Sequence, residues 1–200
     1  MRKNPAEHLA GIDPVMARLI KNIDLRQLKP ERNRFKALVE AIISQQLSNS
    51  AASSISKRFR AFFPGKTFPS PKDVSKASLS KLRKAGLSAS KANYIKNLSR
   101  HIIKKEINLR NLNSLSNDEV IELLIEVKGI GRWTAEMFLM FALDRPNVFS
   151  SGDLGLRNAI VDLYRFRRTP TTKDLEEFSR RWQPYRTLAC RYLWASRDNR

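Results

Sequence analysis

The sequence predicts an all-α protein of about ten helices. Apolar residues recur at three- and four-residue spacing along most of the chain. Stop and start signals built from Ser, Pro and Gly separate those stretches. No alternating apolar–polar run is long enough to argue for a sheet. Residues 1–34 read as helical. Ala37, Leu38, Ala41 and Ile42 then mark the buried stripe of a helix whose other positions are charged. The next helix starts at Ser48 and runs through Ile55 and Phe59 to Phe63, where Pro64-Gly65 stops it. Phe68-Pro69-Ser70-Pro71 is a loop that restarts a short helix near Lys72, and a second short helix from Leu79 is ended by Gly86. A longer one follows, with Ala92, Ile95, Leu98 and Ile102 on one face. Ser116 and Glu119 have the spacing of a capping box, and their helix carries Val120, Leu123, Leu124 and Val127. Another helix runs from Gly131 to about Leu143, and further starts fall near Asp153, Thr172 and Pro184.

The charge narrows the partner. Lys and Arg number 38 against 19 Asp and Glu, a formal net charge of +19 over 200 residues. Such an excess repels itself in isolation and calls for a polyanion, with nucleic acid ahead of an anionic membrane surface. One cysteine, Cys190, excludes an intramolecular disulfide and a cysteine-held iron–sulfur or zinc site, and its apolar surroundings make it a core residue. His8 and His101 have no ligand-like spacing. The longest apolar run, from Met137 to Leu143, is too short to span a bilayer, and Met1-Arg2-Lys3-Asn4-Pro5 leads into no apolar signal core. A cytoplasmic protein, or a nuclear one in a eukaryote, is expected.

Two stretches carry chemistry. In Lys128-Gly129-Ile130-Gly131-Arg132-Trp133, two glycines flank one apolar residue between amphipathic helices. Glycine allows positive φ in a tight turn and close approach of the backbone to a ligand. The following helix start offers free N–H groups, which suit a phosphate. Alone, Gly-x-Gly also serves plain helix packing. In Ser150-Ser151-Gly152-Asp153-Leu154, an aspartate stands at a helix start after an apolar, strand-like pair, Val148-Phe149. It fits an N-cap. It also fits an ionised carboxylate that stabilises positive charge, and one residue can do both.

Together, these stretches resemble the HhH-GPD superfamily of DNA glycosylases, and in particular the 3-methyladenine DNA glycosylase II family. Three more blocks carry the likeness: Ala41-Ile42-Ile43-Ser44-Gln45-Gln46-Leu47-Ser48, Leu87-Ser88-Ala89-Ser90-Lys91-Ala92, and Trp182-Gln183-Pro184-Tyr185-Arg186-Thr187-Leu188-Ala189 followed by Leu193-Trp194. It extends from about Phe35 to Trp194.

The resemblance implies a two-lobed helical fold. Residues 35–145 would form a central bundle with the helix-hairpin-helix at about 117–143. Residues 1–34 and 146–200 would form a second lobe, with the base bound between the lobes. It implies a monofunctional enzyme of base excision repair that hydrolyses the N-glycosidic bond of alkylated purines, such as 3-methyladenine and 7-methylguanine. The partner is double-stranded DNA bearing alkylated bases, with no membrane, and the enzyme is a monomer.

Residue by residue, it makes Asp153 the catalytic carboxylate. Trp133, Trp194 and Tyr185 become the aromatic base pocket, and Gln46 or Leu47 the wedge that fills the gap left by the flipped base. On the residues alone, Gln45 and Gln46 equally satisfy a helix end. Lys128, Gly129, Ile130, Gly131 and Arg132 would hold the DNA backbone, with Lys128 standing where many members have proline. The carbonyls of Ile125, Val127 and Ile130 would hold a structural Na⁺ or K⁺. No cofactor is required and no Fe–S cluster is expected. Lyase relatives carry a lysine where this chain has Trp133, so no strand cleavage is expected. A same-fold glycosylase for oxidised or deaminated bases, and a non-catalytic hairpin protein that binds DNA, remain the alternatives.

Overall fold

The protein is described here by a computed structural model covering residues 4–25 and 29–198. Expectations that touch residues 1–3, 26–28, 199 and 200, at the N-terminus and within the second lobe, lie outside the described residues. Every regular element among the described residues is helical. The α-helices are α1 (Pro5–Ile12), α2 (Pro14–Asn22), α3 (Arg34–Ser44), α4 (Asn49–Ala61), α5 (Pro71–Lys76), α6 (Leu79–Lys84), α7 (Ala89–Ile103), α8 (Asn117–Ile125), α9 (Arg132–Phe141), α10 (Leu154–Tyr164), α11 (Thr172–Ser179) and α12 (Arg186–Asp198). Short 3-10 turns occupy Leu112–Ser114 and Arg180–Trp182. The starts read from the sequence correspond to α3 to α12. The excess is the N-terminal pair α1 and α2, which are separated by Asp13 alone.

Local chemistry sets most helix ends. Ser48, Ser78 and Ser88 cap α4, α6 and α7, each accepting a first-turn amide. At α8 the capping box is complete: Ser116 Oγ accepts the Glu119 amide at 3.2 Å, and Glu119 Oε2 accepts the Ser116 amide at 2.6 Å. The same box recurs at Ser70–Asp73 and Thr171–Asp174. Three ends differ from expectation. The helix read as reaching Phe63 stops at Ala61, because the Phe62 and Phe63 amides turn back onto the Phe59 and Arg60 carbonyls. Val127 lies beyond the end of α8, buried in the turn that follows. The last helix begins at Arg186 rather than near Pro184.

The chain divides into two compact units: Pro30–Leu143, and Met1–Lys29 together with Asp144–Arg200. In the first, Leu38, Val39 and Ile42 of α3 are buried, as are Ile95 and Leu98 of α7, Leu124 of α8 and Leu139 of α9. The expected α7 stripe is present, although Ile102 is only half-buried.

In the second unit, α12 packs on α10 and α2. Cys190 is buried there, as a core residue. Asp13 is the polar centre, 3% exposed. Its Oδ1 caps α2 by accepting the Val15 and Met16 amides at 2.9 and 3.2 Å. Its Oδ2 accepts the Tyr164 hydroxyl at 2.8 Å and the Trp182 indole N–H at 2.9 Å. Burial and the Asp13 carboxylate push the Tyr164 phenol well above its usual range, so it stays a donor. The strand-like Val148-Phe149 has no strand partner among the described residues. It is a buried strip laid along the start of α12: the Val148 amide donates to Thr187 Oγ1 at 3.1 Å, and Thr187 donates its amide to the Pro146 carbonyl at 3.0 Å. Arg186 Nε clamps Asn147 Oδ1 at 2.8 Å.

Removing the carboxylate of Asp13 strands buried amide, phenol and indole donors together. Asp13→Ala should cost about 3 kcal/mol in urea or thermal unfolding, given that each charged hydrogen bond contributes about 1.5–3 kcal/mol. A loss below about 1 kcal/mol, the worth of one ordinary hydrogen bond, would show that the node is peripheral.

Candidate active site

In the Pro30–Leu143 unit, α8 and α9 are joined by a tight turn. Gly129 sits at φ +105°, a conformation that disfavours any side chain. Space enforces the same choice, since a Cβ there would lie 2.0 Å from Cγ of Tyr94 on α7. Ile130 is buried and pins the turn, whereas Lys128, Gly131 and Arg132 are exposed around it. The Ile130 amide closes the turn on the Val127 carbonyl at 2.9 Å. Gly131 is the N-cap of α9 and provides no side-chain cap, unlike the caps of α1 to α8. The start of α9 therefore carries no side-chain cap, at the positive end of the helix dipole. Arg132 leans along α9, with Nε 2.9 Å from the buried Glu136 carboxylate.

The loop after α3 is tied to this turn. Gln45 Nε2 donates to the Gly129 carbonyl at 3.0 Å and to Thr134 Oγ1 at 3.1 Å. Gln45 does not satisfy the end of its own helix. Lys91 does so, with Nζ donating to the Ile43 and Gln45 carbonyls at 2.8 and 2.6 Å. Burial pushes the Lys91 ammonium pKa down, and the two carbonyls compensate. Held in this way, Gln46 takes φ +54° and is exposed, and Leu47 beside it is 40% exposed. Gln46, Lys91, Tyr94, Gly131 and Trp133 line one surface depression. Sequence reading missed Gln45, Lys91 and Tyr94 as site residues. The glycine itself was the available signal for Tyr94, because positive φ with close approach requires something packed against it.

In the other unit, Asp153 is the N-cap of α10 and half-buried. Its Oδ1 accepts the Leu156 amide at 2.8 Å and the Trp194 indole N–H at 3.0 Å. Both donors fall on the same oxygen. Gly155 leaves the room this needs, since a Cβ there would lie 3.1 Å from Asp153 Oδ1 and 3.4 Å from the Trp194 ring. Trp194 and Asp153 are thus brought together as a pair. Tyr185 packs edge-on against His8 of α1, with ring centroids 5.3 Å apart. Trp133 is half-buried on the first turn of α9.

A hairpin that offers backbone amides and a helix-capping carboxylate held by an indole match one family. A profile of the HhH-GPD superfamily base excision DNA repair proteins fits residues 39–184. The chain belongs to this superfamily. This HhH-GPD protein is 35% identical over 191 residues to DNA-3-methyladenine glycosylase 1 of Schizosaccharomyces pombe, covering 94% of this chain and 84% of the relative. The solved structure of that yeast's 3-methyladenine DNA glycosylase, in complex with abasic DNA, superposes with a TM-score of 0.85 over 95% of this chain and 94% of that one. A DNA-3-methyladenine glycosidase from Bacillus halodurans, 35% identical, superposes with a TM-score of 0.81 over 96% of this chain and 88% of that one. No helix among the described residues is long and apolar enough to cross a membrane.

The hairpin yields a direct test. Gly129→Ala meets both the positive φ, worth about 1–2 kcal/mol, and the Tyr94 ring. It should destabilise the HhH-GPD fold by more than that amount and weaken duplex binding. Adding Tyr94→Ala removes the clash and should recover the steric share in urea unfolding, leaving the φ cost. Equal stability of Gly129→Ala with and without Tyr94 would contradict the packing argument.

Proposed function

We propose that the protein is a monofunctional DNA glycosylase that flips alkylated purines, such as 3-methyladenine and 7-methylguanine, out of duplex DNA and hydrolyses their N-glycosidic bond. The observation that carries this reading is the Asp153–Trp194 pair, because phosphate binding alone needs neither residue. The names borne by the similar glycosylases support the same substrate class.

In this mechanism, the uncapped start of α9 at the exposed residues Gly131 and Arg132, with Lys128 and Arg132 as charges, holds a phosphate beside the lesion. Gly129 and the buried Ile130 shape the turn from below. Gln46, raised on its tethered loop with Leu47 next to it, enters the gap that the flipped base leaves. The glycosidic bond of an N3- or N7-alkylated purine breaks readily because the base leaves without its positive charge. No strong general acid is needed, and the deficit falls on the sugar. Asp153 supplies negative charge against the oxocarbenium-like transition state and orients the attacking water. The Leu156 amide and Trp194 indole both act on Oδ1 and fix the plane of the carboxylate. Aromatic faces favour the cationic base by about 1–2 kcal/mol, and the likeness to the family assigns that task to Trp133 in one unit and to Trp194 and Tyr185 in the other. Trp133 also stands where a lyase needs an amine, and an indole forms no Schiff base.

The hairpin suits a monovalent cation. Ile125, Val127 and Ile130 would offer neutral carbonyl oxygens, hard donors that match Na⁺ or K⁺ rather than a transition metal. The Val127 carbonyl already accepts the Ile130 amide and keeps a second lone pair. When bound, such an ion adds positive charge behind the phosphate. The enzyme acts as a monomer on duplex DNA and needs no redox or Fe–S group.

The reading is tested with DNA treated with a methylating agent. The protein should release free 3-methyladenine and 7-methylguanine, leave an uncut strand with an abasic site, and give no adduct on borohydride addition. Asp153→Asn retains the cap and the Trp194 acceptor but loses the charge. It should bind duplex like the parent and excise about 10²–10³-fold more slowly. Parental excision by this variant would remove Asp153 from the chemistry.

A further inference from the structure

A cavity of about 520 Å³ opens within the Pro30–Leu143 unit, bounded by α3, α4 and α9. Its size falls in the range of small-molecule sites, about 300–1,000 Å³. Small side chains create the room, with Ala37 and Ala41 on α3 and Ala52 and Ser53 on α4 along its lining. Trp133, Met137 and Phe141 of α9 form an apolar, partly aromatic wall.

Six polar residues interrupt this lining: Glu31 is paired with Lys36 and Ser44 donates to the Ala41 carbonyl, Ser53 is one of the small residues already named, and Glu40, Ser56 and Arg60 remain. Glu40 of α3 accepts a hydrogen bond from the Ser56 hydroxyl at 3.2 Å, and Ser56 is buried, so one carboxylate oxygen is held in place. Arg60 lies one turn beyond Ser56 on α4, and its buried Nε has no hydrogen-bond partner. Among the described residues, no salt bridge joins Arg60 to Glu40 or to another carboxylate. A buried guanidinium N–H without an acceptor is costly, and packing gives no reason to keep one. A fixed acceptor and an unanswered donor in a slot walled by an indole form the pattern that recognises a flat heterocycle through its edge.

We propose that this cavity receives the extruded purine, with Trp133 against its face and Glu40 and Arg60 reading its hydrogen-bonding edge. The inference rests on the glycosylase reading above and deepens it. An alkylated purine is a cation that carries amino or ring N–H donors beside carbonyl or ring-nitrogen acceptors. Glu40 accepts from the donors, and its negative charge favours the cation over a neutral base. Arg60 Nε donates to the acceptor. Ser56 is a positioning residue that acts through Glu40.

The test is single-turnover release of 3-methyladenine, 7-methylguanine and neutral hypoxanthine from duplex, with unfolding midpoints measured for every variant. Glu40→Gln keeps the Ser56 bond and loses the charge. It should lower kcat/KM for the cationic bases about tenfold or more and narrow their advantage over hypoxanthine. Arg60→Met should lower kcat/KM similarly. Affinity for duplex containing an abasic-site analogue, which has no base to recognise, should stay parental. Ala52→Leu fills the cavity without touching a polar group and should abolish release. Should any of these changes impair folding, titration of free 3-methyladenine, followed by Trp fluorescence, reads the remaining variants against the parent. Folded variants that keep parental kcat/KM and parental base preference overturn the proposal and leave the glycosylase reading standing. A parent that releases nothing from methylated DNA overturns both.

Discussion

The unit that contains α10 and α12 depends on a single carboxylate oxygen. Asp153 Oδ1 caps α10 through the Leu156 amide and at the same time accepts the Trp194 indole from α12. The N-cap of α10 and the acceptor of the Trp194 indole are therefore one group, and the fold cannot keep the first without placing the second. Several surrounding features follow from this constraint. A side chain at Gly155 would crowd the pair, because a Cβ there would lie 3.1 Å from the carboxylate oxygen and 3.4 Å from the indole. The start of α12 must be fixed, and Arg186 and Thr187 fix it against residues 145–148. Asp13 anchors the rest of the unit by joining α2 to Tyr164 and Trp182.

The other unit uses polar ties for a different end. A turn that is to bind phosphate, as proposed for this one, must leave its helix start without a side-chain cap and still hold its shape. Here the shape comes from behind. Tyr94 fills the space that a Gly129 side chain would take, and Gln45 binds the Gly129 carbonyl, while the start of α9 stays without a side-chain cap. Because Gln45 also belongs to the loop bearing Gln46, a shift of the hairpin is felt at the residue that would enter the duplex. Lys91 completes the tie by satisfying the last carbonyls of α3, which frees Gln45 for this task.

Much of this was readable in the sequence wherever the physics is local. Ser116 and Glu119 specify a helix start within four residues, and the periodic apolar positions of α7 specify its buried face. Asp153 could be read both as a cap and as a carboxylate, because both readings depend on neighbours close in the chain. What escaped depends on partners far apart. Asp13 meets Trp182 across 169 positions, and nothing near either residue announces the other. Gln45 was read with Gln46 as closing a helix end, yet its partners lie 84 and 89 residues away. Trp194 was assigned to the base pocket by likeness, but its bond to Asp153 becomes visible only in the folded chain. The same likeness places Tyr185 beside Trp194 in the base pocket, and the structure gives the two different contacts, one on His8 and the other on Asp153.

The central claim is that the Trp194 indole holds Asp153 for catalysis rather than merely filling the core. Trp194→Phe retains an aromatic ring and removes the Nε1 donor together with the second ring of the indole. Single-turnover release of 3-methyladenine from a defined duplex, measured beside thermal stability, addresses this directly. If the indole positions the carboxylate, release should slow about tenfold or more, as expected for one lost hydrogen bond to a charged group, while the protein stays folded at the assay temperature and duplex affinity stays near parental. An unchanged rate in a folded Trp194→Phe protein would contradict the account.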